Sequence, residues 1–392
     1  MFSLLFVVGL LVAVFVGFNI GGSSTGVAFG PAVGSQSVTK LAAAALMTGF
    51  ALLGGWTVGR NVIDTMGGKI VPSDQFTLVA SVGVLFFVGL ALLISNLFGV
   101  PASTSMTAVG AIAGLGVATD TIDWSVMGRI VSWWLVAPIA AFWLCAVIGR
   151  YVYPYLEVHV DVGKGGHPVV LDRSGAVPVP RMAPEATGRD LVGTALVVGI
   201  GCYMAFSAGA SNVANAVAPL VGSPEVNLSM NAGILLAGGA IGLGAFTIAR
   251  RTLDTVGNDL TDLPLLAALI VEVVSASLIT MLSALGIPAS LAVSATMCII
   301  GLGWGRATRT ISISEAASAA VRGERTGGDV TTAALAPDGD GDEEVPDVGE
   351  EEPEITAGDL FDPATTGRVV MLWILTPSIS AAASFVLFEA IT

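Results

Sequence analysis

Hydrophobic residues fall in long unbroken runs along this chain, without the short alternations of a soluble fold. Residues 2–20, 41–59, 76–98, 100–118 and 127–149 form such runs in the first half. Residues 190–208, 231–249, 264–284, 287–304 and 369–388 form them in the second. Each is near the roughly 20 residues with which a helix crosses the hydrocarbon core. No Lys or Arg precedes the first run, as the basic start of a secretory signal would require, so it is expected to stay as a span. Residues 153–189 are polar and Gly/Pro-rich, with β-rich pieces at 158–162 and 167–179 that allow a small hairpin outside the membrane. A second interruption, 305–367, contains Pro337 to Glu354 (PDGDGDEEVPDVGEEEPE), an acidic run without aromatics that cannot bury enough apolar surface to order itself. The expected organisation is a first membrane repeat at 1–152, a cytoplasmic loop at 153–189, and a second membrane repeat at 190–392 carrying a disordered acidic loop at 305–367.

Polar residues inside the apolar pattern carry the chemistry. Gly209 to Ser223 (GASNVANAVAPLVGS) holds Ser211, Asn212, Asn215 and Pro219 beside a span, where no water satisfies polar groups. Gly21 to Ser35 (GGSSTGVAFGPAVGS) matches it: Gly21 falls on Gly209, Ser23 on Ser211, Ser24 on Asn212 and Pro31 on Pro219. Three more segments repeat in the same order. Arg60 to Gly67 matches Arg250 to Gly257, Gly99 to Gly116 matches Gly286 to Gly303, and Trp134 to Pro138 matches Trp373 to Pro377. The chain is therefore an internal duplication. Five crossings per half is an odd number, which predicts two inverted repeats, and a polar Gly/Pro-interrupted segment in each half points to a transporter binding site. The polar motifs at 21–37 and 209–223 are expected as broken or re-entrant helices near the midplane. The fold class is an all-α polytopic membrane protein.

Composition agrees: 54% of residues are hydrophobic, 12% are charged and the mean hydropathy is +0.83, which excludes an ordinary soluble enzyme. The net charge of −14 lies mostly outside the apolar runs, and Lys occurs only at 40, 69 and 164. Such an acidic surface suggests a halophilic source. Sorting the basic residues by alternate loops places Lys40, Arg150, Arg250, Arg306 and the two long loops on one side, against Arg60, Lys69 and Arg129 on the other. The first side is read as cytoplasmic, with both termini outside the cell membrane. The short loops alone give a tie. Cys145, Cys202 and Cys298 lie in apolar runs and are read as packing residues. His159 and His167 lack the spacing of a metal site, and no catalytic signature or nucleic-acid motif is present.

Pro101, followed by Ser103, Thr104, Ser105 and Thr107, has the form of a helix start, as does Pro288 followed by Ser290. A helix beginning inside a membrane aims free N–H groups and a positive dipole end at its surroundings. Two such starts facing each other would make an uncharged cage for an oxyanion. Ordinary helix packing by small residues is the competing reading. Asn212 and Asn215 share a helix face and suit Na⁺. Glu272, an acid well inside an apolar run, suits a cation, a proton or a structural hydrogen bond.

At these motifs the chain resembles the inorganic phosphate transporter (PiT) family, which carries phosphate with Na⁺ or H⁺ and has two inverted halves. Each half there has a GANDVANA-type signature and a G-x-P-x-S-T-T-type helix start. The resemblance rests on Gly209 to Pro219, Gly238 to Gly257, Gly286 to Ser290 and Trp373 to Pro377 and covers both membrane halves. It implies an oxyanion site lined by Ser23, Ser24, Ser103, Thr104, Ser105, Ser211 and Ser290, and a cation site at Asn212 and Asn215. Glu272 falls where the family tends to carry an acid. The family's Asn-Asp pair is Ser211-Asn212 here and Ser23-Ser24 in the first copy, and Val27 replaces the later Asn, so the acidic cation ligand is absent from both. Met106 and Val293 stand where the family often has His. The resemblance implies a secondary transporter of inorganic phosphate that uses no cofactor beyond a coupling Na⁺ or H⁺. A sulfate or other oxyanion permease and a non-transporting anion sensor are the alternatives, and self-association into a homo-oligomer is left open.

Overall fold

The computed structural model describes residues 4–97, 103–159, 169–172, 179–182, 187–248, 264–308 and 363–391. Twelve helices longer than one turn run through them: α1 (Leu4–Gly34), α2 (Lys40–Trp56), α3 (Gly59–Met66), α4 (Leu78–Leu97), α5 (Thr104–Ala118), α6 (Trp124–Val147), α7 (Tyr153–His159), α8 (Gly188–Gly222), α9 (Met230–Thr247), α10 (Leu265–Ala284), α11 (Leu291–Ala307) and α12 (Pro363–Glu389). A π-helical turn, Ile148–Val152, joins α6 to α7. The helical reading is borne out. The foreseen hairpin is present as β1 (Val169–Asp172) paired antiparallel with β2 (Val179–Met182), Val169 opposite Met182. The acidic run 337–354, the segment 250–257, Pro101 and His167 lie outside the described residues.

Among the described residues, five helices are long and apolar enough to cross a membrane. The α2–α3 pair makes a sixth candidate, bent by 61° at its break, and α4, α5, α11 and α12 contribute shorter apolar helices. These ten elements correspond to the ten expected runs. Capping residues set the starts. Thr39, Asp123 and Ser229 each accept a hydrogen bond from the first-turn backbone of α2, α6 and α9, and Thr187 forms a capping box with Asp190 at α8.

The two polar motifs differ from expectation. Neither breaks its helix: α1 and α8 run straight through them, with Pro31 and Pro219 inside. At 31 residues α1 is about 46 Å long, against a hydrocarbon core of about 30 Å. Each proline sits in the last turns, so only one helical hydrogen bond is lost. The motif hydroxyls mostly bond inside the protein. Ser23 donates to Asn19 and Ile20 carbonyls at 3.2 and 3.1 Å, and Thr25 to Gly21 at 2.7 Å, so no water is required and no break follows.

The halves interlock through glycines at matched positions. A Cβ on Gly21 would lie 1.9 Å from the carbonyl oxygen of Ile241, and one on Gly209 would lie 2.0 Å from that of Ala51. A Cβ on Gly114 would lie 2.3 Å from the Ala381 oxygen, and one on Gly301 would lie 2.1 Å from the Phe142 oxygen. In both pairs the second contact is the repeat-matched counterpart of the first. So α1 packs on α9 as α8 packs on α2, and α5 packs on α12 as α11 packs on α6. The matched helices α1 and α8 also touch, with Gly9 beside Leu220 and Gly201 beside Ala28 and Phe29, and therefore run antiparallel.

Candidate oxyanion and cation site

Two helices begin in the protein interior. Ser103, 1% exposed, caps α5 by accepting from the Met106 N–H at 3.3 Å, and Ser290 caps α11 by accepting from the Val293 N–H at 3.3 Å. In each case the hydroxyl oxygen is engaged while its hydrogen stays available to donate. The approach to α11 is fixed by Gly286 at φ +71°, a left-handed conformation that favours glycine. A Cβ there would also lie 2.8 Å from the Thr65 hydroxyl.

Buried Ser211 on α8 joins the two starts. Its hydroxyl donates to the Ala289 carbonyl just before α11 at 2.8 Å and lies 3.1 Å from the Ser105 hydroxyl in the first turn of α5. One hydroxyl has one hydrogen, so Ser105 is the donor to Ser211. The Asn215 side-chain N–H donates to Ser105 at 3.1 Å, to Thr104 at 3.3 Å and to the Asn212 side-chain oxygen at 3.1 Å. Thr104 in turn donates to that Asn212 oxygen at 2.5 Å. The spacing of three between the asparagines puts both on the face of α8 that meets α5. Asn215, 1% exposed, leaves its side-chain oxygen without a partner. Pro219 has no N–H to give to the Asn215 backbone carbonyl four residues earlier, so two oxygens of one residue lack a donor from their usual source.

Ser103, Thr104, Ser105, Ser211, Asn212, Asn215 and Ser290 thus come together around α5, α8 and α11. Ser23 and Ser24 do not join them. Ser23 bonds only within its own helix, and half-buried Ser24 makes no hydrogen bond among the described residues. The repeat-matched counterparts of Thr104, Ser105 and Asn215 are Leu291, Ala292 and Val27, and Val27 is 38% exposed and faces outward. The polar cluster is therefore one-sided in an otherwise duplicated fold. Glu272 is also apart. It is 4% exposed with Oε1 unpartnered, one turn before Ser275, which contacts Met204 of α8 at 3.9 Å. Asn212 lies eight residues further along α8, about 12 Å of helix rise.

Sequence reasoning missed three positioning residues. The Trp134 indole on α6 donates to the Pro288 carbonyl at 2.8 Å, holding the approach to α11. Arg60 donates to the Trp56 carbonyl at 2.6 Å and to Asn231 at 2.5 Å, and Asn61 donates to the Ala284 carbonyl at 2.9 Å, which pegs the α2–α3 bend. All three lie in repeated segments, which was the available signal. Among the described residues no group of three His, Cys, Asp or Glu could hold a metal, and His159 bonds the Tyr155 carbonyl.

Apolar helices of membrane-crossing length, interior helix starts and a polar cluster between them define a multi-pass membrane carrier, not an enzyme. The chain belongs to the phosphate transporter family, whose sequence model matches residues 20–384. It is 29% identical over 298 residues to the sulfate permease CysP of Bacillus subtilis, covering 76% of this chain and 77% of that one. It is 26% identical to a Chlamydia trachomatis protein provisionally named phosphate permease, over 78% of this chain and 92% of the other. A solved structure titled as the sodium-dependent phosphate transporter superposes with a TM-score of 0.64 at 18% identity, covering 99% of each chain, and so shares the fold.

Proposed function

We propose that the protein is a secondary transporter that moves inorganic phosphate across the cell membrane by alternating access between two inverted repeats. The observation that carries this reading is Ser211, which hydrogen-bonds toward both helix starts at once. The oxyanion sits between the N-terminal ends of α5 and α11, held by Ser103 and Ser290 hydroxyls and first-turn N–H groups. No Lys, Arg or His belongs to the cluster, so the anion is bound without a fixed countercharge and can be released. A coupling Na⁺ is taken at the Asn212–Asn215 oxygens, whose neutral oxygen donors suit it, while a coupling H⁺ would be carried by the buried Glu272 carboxyl. The antiparallel run of α1 and α8 and the matched glycine contacts support the inverted architecture. Both termini are then outside.

A sulfate permease is the second reading, and one observation favours it: the cluster contains no carboxylate to accept the proton of hydrogen phosphate, and sulfate carries none. Uptake of labelled phosphate against labelled sulfate into proteoliposomes, with and without Na⁺ and pH gradients, separates the two. Uptake of neither would leave an anion sensor and overturn both.

A further inference from the structure

The proposed transport mechanism uses none of the thiols, yet two of them meet. Cys145 on α6 and Cys298 on α11 are both fully buried, and their thiols lie close enough to interact. They meet because this helix seam is unusually tight. Cβ atoms on Gly149, Gly301 and Gly305 would lie 2.2, 2.1 and 2.0 Å from the carbonyl oxygens of Leu302, Phe142 and Ala146. Packed helix axes ordinarily stand about 8–10 Å apart. Backbones interlocked at three glycines approach closer, toward the roughly 4.4–6.8 Å between Cα atoms that a disulfide needs. Cys145 lies one turn before Gly149 and Cys298 about one turn before Gly301, on the same seam.

We propose that Cys145 and Cys298 are an oxidisable dithiol that closes into a disulfide, a covalent staple between the first and second halves of the membrane body. The Sγ–Sγ bond forms as two S–H bonds break. Two electrons and two protons pass to an oxidant of the diamide class, whose N=N bond is reduced to the hydrazine. A thiol reductant reverses the step. The interlocked backbones make α6 and α11 one rigid body, so the staple is compatible with every state of a transport cycle.

The test is a thiol count on the purified, folded protein in detergent after diamide treatment, quenching and denaturation. The wild type is expected to fall from three reactive thiols to one, and Cys202→Ser from two to none. Cys145→Ser and Cys298→Ser are each expected to keep both of theirs. Peptide mapping of the oxidised wild type should recover a linked Cys145–Cys298 pair within one chain, which keeps the proposal testable should a serine variant fail to fold. Three thiols surviving in the wild type, a loss that persists in Cys145→Ser, or a bond between two chains would overturn the proposal. The count needs no substrate, so its failure is distinct from a failure of the transport reading. In proteoliposomes, oxidised and reduced wild type should transport within twofold of each other. An oxidation block that Cys145→Ser relieves would overturn the rigid-seam part.

Discussion

The Ser211 hydroxyl donates to the Ala289 carbonyl oxygen at 2.8 Å. That bond runs from the middle of α8 to the last residues before α11. The Ser105 contact on the other side of Ser211 makes one side chain the junction of three helices. The geometry ranks the residues around it by what each can lose.

Removing one capping hydroxyl leaves the helix dipole and the N–H groups in place. A hydrogen bond to a charged group contributes about 1.5–3 kcal/mol, roughly ten- to a hundredfold in affinity. Ser103→Ala and Ser290→Ala should each weaken oxyanion binding by about that factor in calorimetry, and the double variant should be weaker than either. Ser290→Asp puts a like charge against the anion and should abolish binding. Wild-type affinity in Ser290→Asp would place the anion elsewhere.

Asn212 stands where the resembled family carries Asp. Asn212→Asp adds a charge beside Thr104 and Asn215 while keeping the shape. If a coupling cation sits there, half-saturation by Na⁺ should fall by about tenfold or more, about 1.4 kcal/mol per factor of ten. Unchanged Na⁺ dependence in labelled-oxyanion uptake would remove these asparagines from the coupling path.

The buried Glu272 Oε1 makes no hydrogen bond to the cluster. Glu272→Gln is therefore expected to leave oxyanion affinity within about threefold while altering the response of uptake to pH or Na⁺. Thr280 and Ser283 on the same helix also leave buried hydroxyl oxygens unpartnered, so polar groups needing a partner continue along α10 toward the helix starts. If Glu272→Gln instead lowers affinity as strongly as Ser290→Ala, the carboxyl belongs to the anion site.

Gly209→Ala drives a methyl to 2.0 Å from the Ala51 backbone oxygen, which cannot rotate away. Overpacking against backbone should cost about 1–3 kcal/mol or more and lower the thermal transition of the purified protein. Gly49→Ala in α2, with nothing within 4 Å, is the control and should hold or raise it. Equal transitions for the two variants would mean that the seam opens to absorb the methyl.

Much of this architecture is legible in the chain. The ten apolar runs are readable because each must cross the same thickness of hydrocarbon, and the helix starts are readable because Pro and Ser at 288–290 have a local meaning. The continuity of α1 and α8 was not readable. Whether Ser23 and Thr25 bond back to their own helix or open it depends on neighbours that no local pattern names. The exclusion of Ser23 and Ser24 from the cluster was hidden for the same reason. It follows from Leu291, Ala292 and Val27, apolar residues that stand where the other copy has Thr104, Ser105 and Asn215, a mismatch that shows only once the two copies are aligned.

The cover of α5 comes from α12, where Ser380 and Ser384 donate to the Thr107 and Ala111 carbonyls at 3.0 and 2.6 Å. On the ribosome these partners emerge far apart in time. A nascent chain that has already inserted α5, α8 and α11 still lacks the surface against which α5 rests. The helix start that would grip the substrate is then only half supported. Completion of the proposed binding site is thereby tied to the arrival of α12 in the bilayer, and a chain arrested before that point would lack this support for α5.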